Sequence, residues 1–258
     1  MFADSHVHLH AYVDPPSLLE RAAVAGVDLV VGISVDLASA GRTLEITRQA
    51  RARRDAGVSG PVVIAAVGLH PSDLTGPLEP ATFSALEDLA RDPLVGFIGE
   101  IGLDAVEAKV PLVTQAAAFR AQLDLAGGLG KPVNLHVRGA IEETLEILAA
   151  VGPPTAGAVF HYFTGDRALA ERLLAAGLSI SVGKPVTRPG NAALRAAVET
   201  IPLDRLLLET DSYPLPGRTT EPADLPRVAR AVADLKRLPV EAVAEATTGN
   251  LLRICASG

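Results

Sequence analysis

The amino-acid sequence predicts an α/β fold, a single-domain (β/α)8 TIM barrel over residues 1–258, and three observations carry that expectation. Short apolar, β-branched runs recur along the chain. Segments of helical period, rich in Ala, Leu, Arg and Glu, separate them, and no linker, low-complexity tract or composition break interrupts the alternation. Such alternation favours a parallel sheet closed on itself, with an open doubly wound sheet as the competing topology. Barrels of this length commonly form one domain.

FADSHVH at 2–8 reads as the first strand, and VDLVVGI at 27–33 as the second. Between the second strand and the third, PVVIAAVGLH at 61–70, lies SAGRTLEITRQARARRDAG, whose closing Gly57 reads as a helix stop. LVGFIGEIGLD at 94–104 is the fourth strand, followed by the helical VTQAAAFRAQLDLAGGLG ending at Gly130. KPVNLHV at 131–137, GAVFHYF at 157–163, GLSISVG at 177–183 and RLLLETD at 205–211 supply the remaining four strands. PVEAVAEATTGNLLRI is an added helix after the eighth unit, placed to close the lower end of the barrel.

Hydrophobic residues make up 48% of the chain and charged residues 21%, enough apolar material for a sizeable core and too much for extensive disorder. Aromatics are 3% with no Trp, so Ala, Leu and Val must fill that core. The net charge of −7 gives no global attraction to nucleic acid or anionic membrane, and a phosphate-bearing substrate would need a local basic patch or bound cations. A single cysteine, Cys255, forms no intrachain disulfide, no basic and apolar leader opens the chain, and no apolar run approaches a membrane span. The expected location is the cytoplasm, away from membranes.

The opening MFADSHVHLH holds three of the six histidines, His6, His8 and His10. Alternation in a strand sends residues i and i+2 to one side, so His6 and His8 can face one point in space. A polar arm or a solvent-facing strand would show the same pair, and partners elsewhere must decide. Active sites of such barrels lie at the C-terminal ends of the strands, and the polar residues collect there. His6 and His8 end the first strand, His70 follows the third, Glu100 ends the fourth, and His136, His161 and Asp211 end the fifth, sixth and eighth. Any one of these could be a core histidine or a helix cap. Their coincidence at matching strand ends favours a shared site. Parity agrees, since Asn134 and His136 oppose Val133, Leu135 and Val137, and Glu209 shares a face with Asp211 as a supporting partner of the ligands.

In this order and spacing, DSHVHLH, GLHP, GEIGLD, NLHVR, HYFTG and LLLETDS, with the later T..N..RI, resemble the TatD family of metal-dependent deoxyribonucleases, over nearly the whole chain. The resemblance implies a binuclear centre that activates water, with His6, His8 and Asp211 on one cation, His136 and His161 on the other, and Glu100 bridging. Asp211 and Glu100 are then the catalytic carboxylates. Imidazole and carboxylate donors suit Zn, Mn, Ni or Mg, with Mg the poorest match to four histidines. The implied activity is 3′-to-5′ exonuclease action on single-stranded DNA. Hydrolysis of an amide, lactone or ester, including aminoacyl-tRNA deacylation, is the alternative for the same site, and a non-catalytic scaffold with structural metals is a third.

Candidate substrate contacts are Arg138, Lys184, Arg188 and Arg218, each just beyond a strand end, where a net acidic protein needs local positive charge for a phosphodiester. His70 could touch a phosphate or stabilise its loop. The chain departs from the family pattern at His10 and Gly139, where Asp is usual, at AVEAKVP, where an aromatic pair is common, and at the shorter loop SYPLPGRTTEPADLP. These departures alter the rim and remove no ligand.

Overall fold

In the computed structural model, which describes residues 1–152, 154–214 and 220–256, eight strands form one parallel sheet in sequential order. They are β1 (Phe2–Val7), β2 (Val27–Gly32), β3 (Val62–Val67), β4 (Val95–Asp104), β5 (Val133–Arg138), β6 (Ala158–Phe160), β7 (Ser179–Val182) and β8 (Leu206–Leu208). The helices among the described residues are α1 (Pro15–Val24), α2 (Leu37–Asp55), α3 (Pro80–Ala90), α4 (Leu112–Leu129), α5 (Ile141–Val151), α6 (Arg167–Ala175), α7 (Ala192–Thr200), α8 (Leu225–Lys236) and α9 (Val240–Ala256). The expected eight units are present. No helix among the described residues is long and apolar enough to cross a membrane.

Local chemistry sets the boundaries. Asp14 accepts the amide of Ser17 at the start of α1, with Pro15 pre-set in the first turn, and Asp36 and Ser39 cap α2 reciprocally. Gly57 and Gly130, the two expected helix stops, take left-handed φ values of 82° and 65°. The layer between strands and helices carries most of the core. A smaller cluster of Ala3, Leu29, Val31, Phe97, Val159 and Leu207 fills the barrel interior, and Leu251 of α9 is buried in it. Thus α9 plugs the end of the barrel opposite the histidines.

The first and last strands meet through little ladder. An isolated bridge joins Val7 to Ser212, and Asp211 N–H donates to the His6 carbonyl at 3.1 Å. A side chain reinforces the seam: the Asp4 carboxyl takes the Thr210 amide at 3.0 Å and its hydroxyl at 2.6 Å, and Thr210 contacts the Ser212 hydroxyl at 2.5 Å. Asp4 is wholly buried. Burial pushes its carboxyl up to about 8, against the lowering by the Thr210 hydrogen bonds.

The fold therefore prefers Asp4 protonated. Its contribution to stability is complete below the unfolded carboxyl range and declines as pH rises toward about 8, where the buried group ionises. Asp4→Asn keeps the shape without that ionisation. The melting temperature of the variant relative to wild type should climb steadily between about pH 5 and pH 8; a difference flat in pH would show that Asp4 does not carry a raised pKa.

Candidate metal centre

All six histidines of the chain converge at the C-terminal mouth of the barrel, around Glu100. The strand that delivers Glu100 is irregular. The β4 to β5 register slips between Ile98 and Ile101, and β4 runs on to Asp104, so Glu100 lies within the strand and not at its end as expected. Two glycines make this possible. A Cβ on Gly99 would lie 2.7 Å from Asn134 Cβ, and one on Gly102, at φ 146°, would lie 1.9 Å from the His136 carbonyl oxygen. The GEIGLD motif is thus a steric device that lets a carboxylate strand press against β5.

The two oxygens of Glu100 face different partners. Oε2 lies 3.5 Å from His6 Nε2 and 3.9 Å from His8 Nε2. Oε1 lies 2.6 Å from His161 Nε2, 2.9 Å from His136 Nδ1 and 3.8 Å from His70 Nε2. Asp211 stands on the His6 and His8 side, with Oδ1 at 3.8 Å and 3.5 Å from their Nε2 atoms. Its backbone has left the strand, with φ 48°, so a left-handed turn and not the expected alternation aims it inward.

Among the described residues, three sets of donors lie close enough to hold a metal ion: His6, His161 and Asp211; His6, His8 and Glu100; and His70, Glu100 and His136. The hydrogen bonds of each ring decide which nitrogen is free. The Nδ1–H of His6 donates to Asn134 Oδ1 at 3.2 Å, which leaves the Nε2 lone pair facing Glu100 and His8. The Nε2–H of His136 donates to Asp104 at 3.0 Å and turns Nδ1 toward Glu100. Carbonyl or carboxylate partners of this kind orient metal-bound histidines. His70 differs: its Nδ1 accepts the Ser72 amide at 3.1 Å, so in the neutral ring Nε2 carries the proton. Its position suits a hydrogen-bond donor and not a ligand. His10 Nδ1–H donates to the Ile33 carbonyl at 2.9 Å and is likewise committed.

The donor set fits divalent cations. The cavity at the mouth, about 400 Å³, is lined by five carboxylates, Asp73, Glu100, Asp104, Glu107 and Asp211, and by no Lys or Arg among the described residues. Without a metal, imidazolium must supply the positive charge. Burial would raise Glu100, but the charges of His161 and His6 and the hydrogen bonds from His136 and His161 hold it well below the usual range. Burial would lower His161, yet the Glu100 and Glu209 carboxylates lift it well above the ordinary imidazole value. Burial, with His161 next to it, keeps His6 low, and Asp211 is depressed by hydrogen bonding to His8 and by the charges of His6, His8 and His161, against burial. Glu209, expected as a supporting partner, is fully buried; Oε1 accepts the Tyr162 amide at 2.6 Å and lies 3.6 Å from His161 Nδ1.

The expected substrate contacts are spread around the rim. Lys184 lines a smaller cleft beside Asp211 and donates to the Thr220 hydroxyl at 3.0 Å. Arg138 is half exposed and pairs with Glu107 at 2.5 Å, outside the lining of the mouth. Arg188 is an exposed residue beyond β7, and Arg218 lies outside the described residues, as do 215–219 of the shortened loop. Sequence reading missed Asp104 and the orienting role of Asn134. Parity held the signal for both, since Asp104 is two and four residues beyond Gly102 and Glu100, and Asn134 is two before His136. A larger cavity of about 890 Å³ lies at the other end of β3 and β4, beside Arg51, Arg54 and Lys131. It contains none of the metal-capable groups, and its Lys131 ammonium is bound to the carbonyls of Ala90 and Val95.

A family model described as TatD related DNase matches residues 3–256. Among curated relatives, the protein named uncharacterized metal-dependent hydrolase YabD of Bacillus subtilis is 31% identical over 98% of both chains. The one named uncharacterized metal-dependent hydrolase TatD of Mycobacterium tuberculosis is 36% identical over 97% of this chain and 96% of its own. The 3′-5′ ssDNA/RNA exonuclease TatD of Erwinia amylovora is 40% identical over 71% of this chain and 74% of its own. The crystal structure of YJJV, a TatD homolog from Escherichia coli, superimposes with a TM-score of 0.87 at 28% identity, covering 98% of this chain and 97% of that one.

A histidine that is protonated in the metal-free site must lose its proton to become a ligand. Titration with Zn or Mn near pH 7 should therefore release a proton from His161, seen in calorimetry as a heat that changes with the ionisation enthalpy of the buffer. His161→Asn should remove most of that buffer dependence. Equal buffer dependence in both proteins would place the proton elsewhere.

Proposed function

The chain belongs to the TatD-related DNase family, and from that premise we propose that it is a divalent-metal-dependent hydrolase that removes nucleotides from the 3′ end of single-stranded DNA. The observation that carries this reading is the divided Glu100 carboxylate, with Oε2 toward His6 and His8 and Oε1 toward His136 and His161. That division matches a bridging carboxylate between two cations. His6, His8 and Asp211 would hold one, and His136 and His161 the other. The names of the Erwinia relatives, 3′-5′ ssDNA/RNA exonuclease, support the substrate and the direction.

Two bound cations, of Zn, Mn, Ni or Mg, would supply Lewis acidity and make water a nucleophile near neutral pH. The chain's own residues do the rest. Asp211, half-buried at the boundary of the two cavities, is the side chain placed to take the proton of the attacking water. Water oxygen bonds to phosphorus, the bond to the 3′ oxygen of the preceding nucleotide breaks, and that oxygen leaves as a hydroxyl by taking up the proton that Asp211 accepted. His70 offers its Nε2 proton to a phosphate oxygen, held in place by the Ser72 amide on Nδ1. Asn134, Asp104 and Glu209 hold the imidazoles from behind. Five carboxylates at the mouth would repel a phosphodiester, so cations are required for binding as well as for chemistry.

The same cations and carboxylates would serve a carboxylic ester or amide, and substrate competition separates the two readings. Metal-reconstituted protein should degrade end-labelled single-stranded DNA faster than a panel of amide, lactone and aminoacyl-ester substrates. Turnover confined to that panel would sink the nuclease reading.

Elemental analysis after reconstitution should find two divalent ions per chain, and saturation at one would refute the binuclear centre. Glu100→Ala should weaken metal binding in calorimetry more than Asp211→Ala, since a bridging group serves both ions. Asp211→Asn keeps the shape and one ligating oxygen but loses the basicity. It should fold and cut at least about 10²-fold more slowly at saturating metal, the lower range for a positioned base. Full rescue by added metal would reduce Asp211 to a ligand.

A further inference from the structure

Nine aromatic residues are sparse for this length, six Phe and three Tyr with no Trp. The phenylalanines serve the core, with Phe97, Phe119 and Phe163 fully buried. The tyrosines gather elsewhere. Tyr162 and Tyr213 line a cleft of about 220 Å³ with His8, Asp211, Lys184 and Thr220, and the Tyr12 hydroxyl donates to the Thr220 carbonyl at 3.0 Å. Among the described residues Tyr213, 43% exposed, is the one exposed aromatic side chain.

The described residues that line the cleft are tied to their neighbours. Thr220 is held from two sides, through its carbonyl by Tyr12 and through its hydroxyl by Lys184 at 3.0 Å. The Tyr213 ring stands edge-on to His8, centroids 5.7 Å apart and planes at 85°. Tyr162 is anchored through its amide to Glu209, and its ring lies over Gly183, where a Cβ would come within 3.6 Å.

This cleft shares His8, Asp211 and Tyr213 with the mouth that holds Glu100, so a group bound in one is attached to whatever reacts in the other. Its volume equals that of roughly seven waters at about 30 Å³ each, room for a base and not for a second nucleotide. Lys184 is the one Lys or Arg among the described residues lining either cavity. An apolar ring, a single cation and a base-sized space are the components of a sequence-tolerant single-strand site.

We propose that the cleft receives the 3′-terminal nucleoside of the strand, its base stacked on Tyr213, with Lys184 drawing its phosphate to the boundary with the mouth. The inference rests on the nuclease reading above and adds a terminal-base requirement to it. Tyr213 is then a specificity residue, and base recognition by stacking makes the enzyme indifferent to sequence but sensitive to the loss of the last base.

The test compares two end-labelled single strands, identical except that one ends in an abasic 3′ residue, with wild type, Tyr213→Ala and Tyr213→Phe. On the ordinary strand Tyr213→Ala should raise KM by about 5- to 150-fold, the span of alanine substitutions at base-stacking aromatics, with kcat little changed. Tyr213→Phe should recover most of that loss. On the abasic strand wild type and Tyr213→Ala should have similar KM values. A strand ending in 2-aminopurine, added to metal-loaded Asp211→Asn protein so that it is not consumed, should lose fluorescence through stacking, and should keep it when Tyr213→Ala is added. An unchanged KM for Tyr213→Ala on the ordinary strand, or an equal loss on both strands, overturns the inference while leaving the nuclease reading intact. Failure of wild type to cut either strand overturns both.

Discussion

A carboxylate buried to 2% exposure, with no Lys or Arg lining its cavity among the described residues, is the constraint around which this molecule is built. Ionised Glu100 is tolerable only if positive charge meets both of its oxygens. The fold meets that demand with imidazoles drawn from β1, β5 and the segments just after β1, β3 and β6. His6, His70 and His136 are each held by a side-chain or backbone partner that fixes the usable nitrogen. The Glu100 and Glu209 carboxylates lift His161 above the ordinary imidazole value, so positive charge collects on the ring beside Glu100. Protons and divalent cations compete for the same imidazole nitrogens, so occupancy of the site depends on pH.

Placing that carboxylate shapes the surrounding strands. β4 approaches β5 so closely that neither Gly99 nor Gly102 has room for a side chain, and the ladder slips a register at the same point. On the other flank, the β1 to β8 seam has an isolated bridge and one buried Asp4 to Thr210 link in place of a continuous ladder. An interrupted seam costs backbone hydrogen bonds, but it frees the chain around Thr210 to turn, and the left-handed turn at Asp211 aims its side chain at His6 and His8. Regularity is lost where the candidate ligands Glu100 and Asp211 point inward.

The barrel was legible because strand and helix periods alternate without a break, and the gathering of six polar residues at its mouth was legible because short polar motifs end apolar runs at matching places. The sequence disclosed less where local geometry overrides periodicity. Alternation put Glu209 and Asp211 on one face, and both do point inward, but β8 ends at Leu208 and a turn does the work. Glu100 was placed at the end of a run that itself continued to Asp104; β4 ends at Asp104, so Glu100 lies inside the strand and Asp104 stands behind His136. His70 was left between two roles because only coordinates show the Ser72 amide on its Nδ1. Arg138 satisfied every sequence criterion for a phosphate contact, yet Glu107, from the AVEAKVP stretch that departs from the family pattern, holds it at the rim.

That last pairing bears on how substrates are told apart. Arg138 is paired with Glu107, so the two together add no net positive charge to the rim, and the adjoining mouth is acidic. On the opposite side, Lys184 faces the cleft with a neutral hydroxyl as its partner. Its charge is not cancelled by a carboxylate in contact with it. An approaching anion thus meets an asymmetric field, repelled on the β4 and β5 side and drawn toward β7 and β8. Asp211 lies at the border of the two regions, lining both the acidic mouth and the cleft that holds Lys184. Of the residues that differ from the family pattern, His10 and the loop residue Tyr213 both stand edge-on to the His8 ring, so these departures reach the edge of the donor cluster.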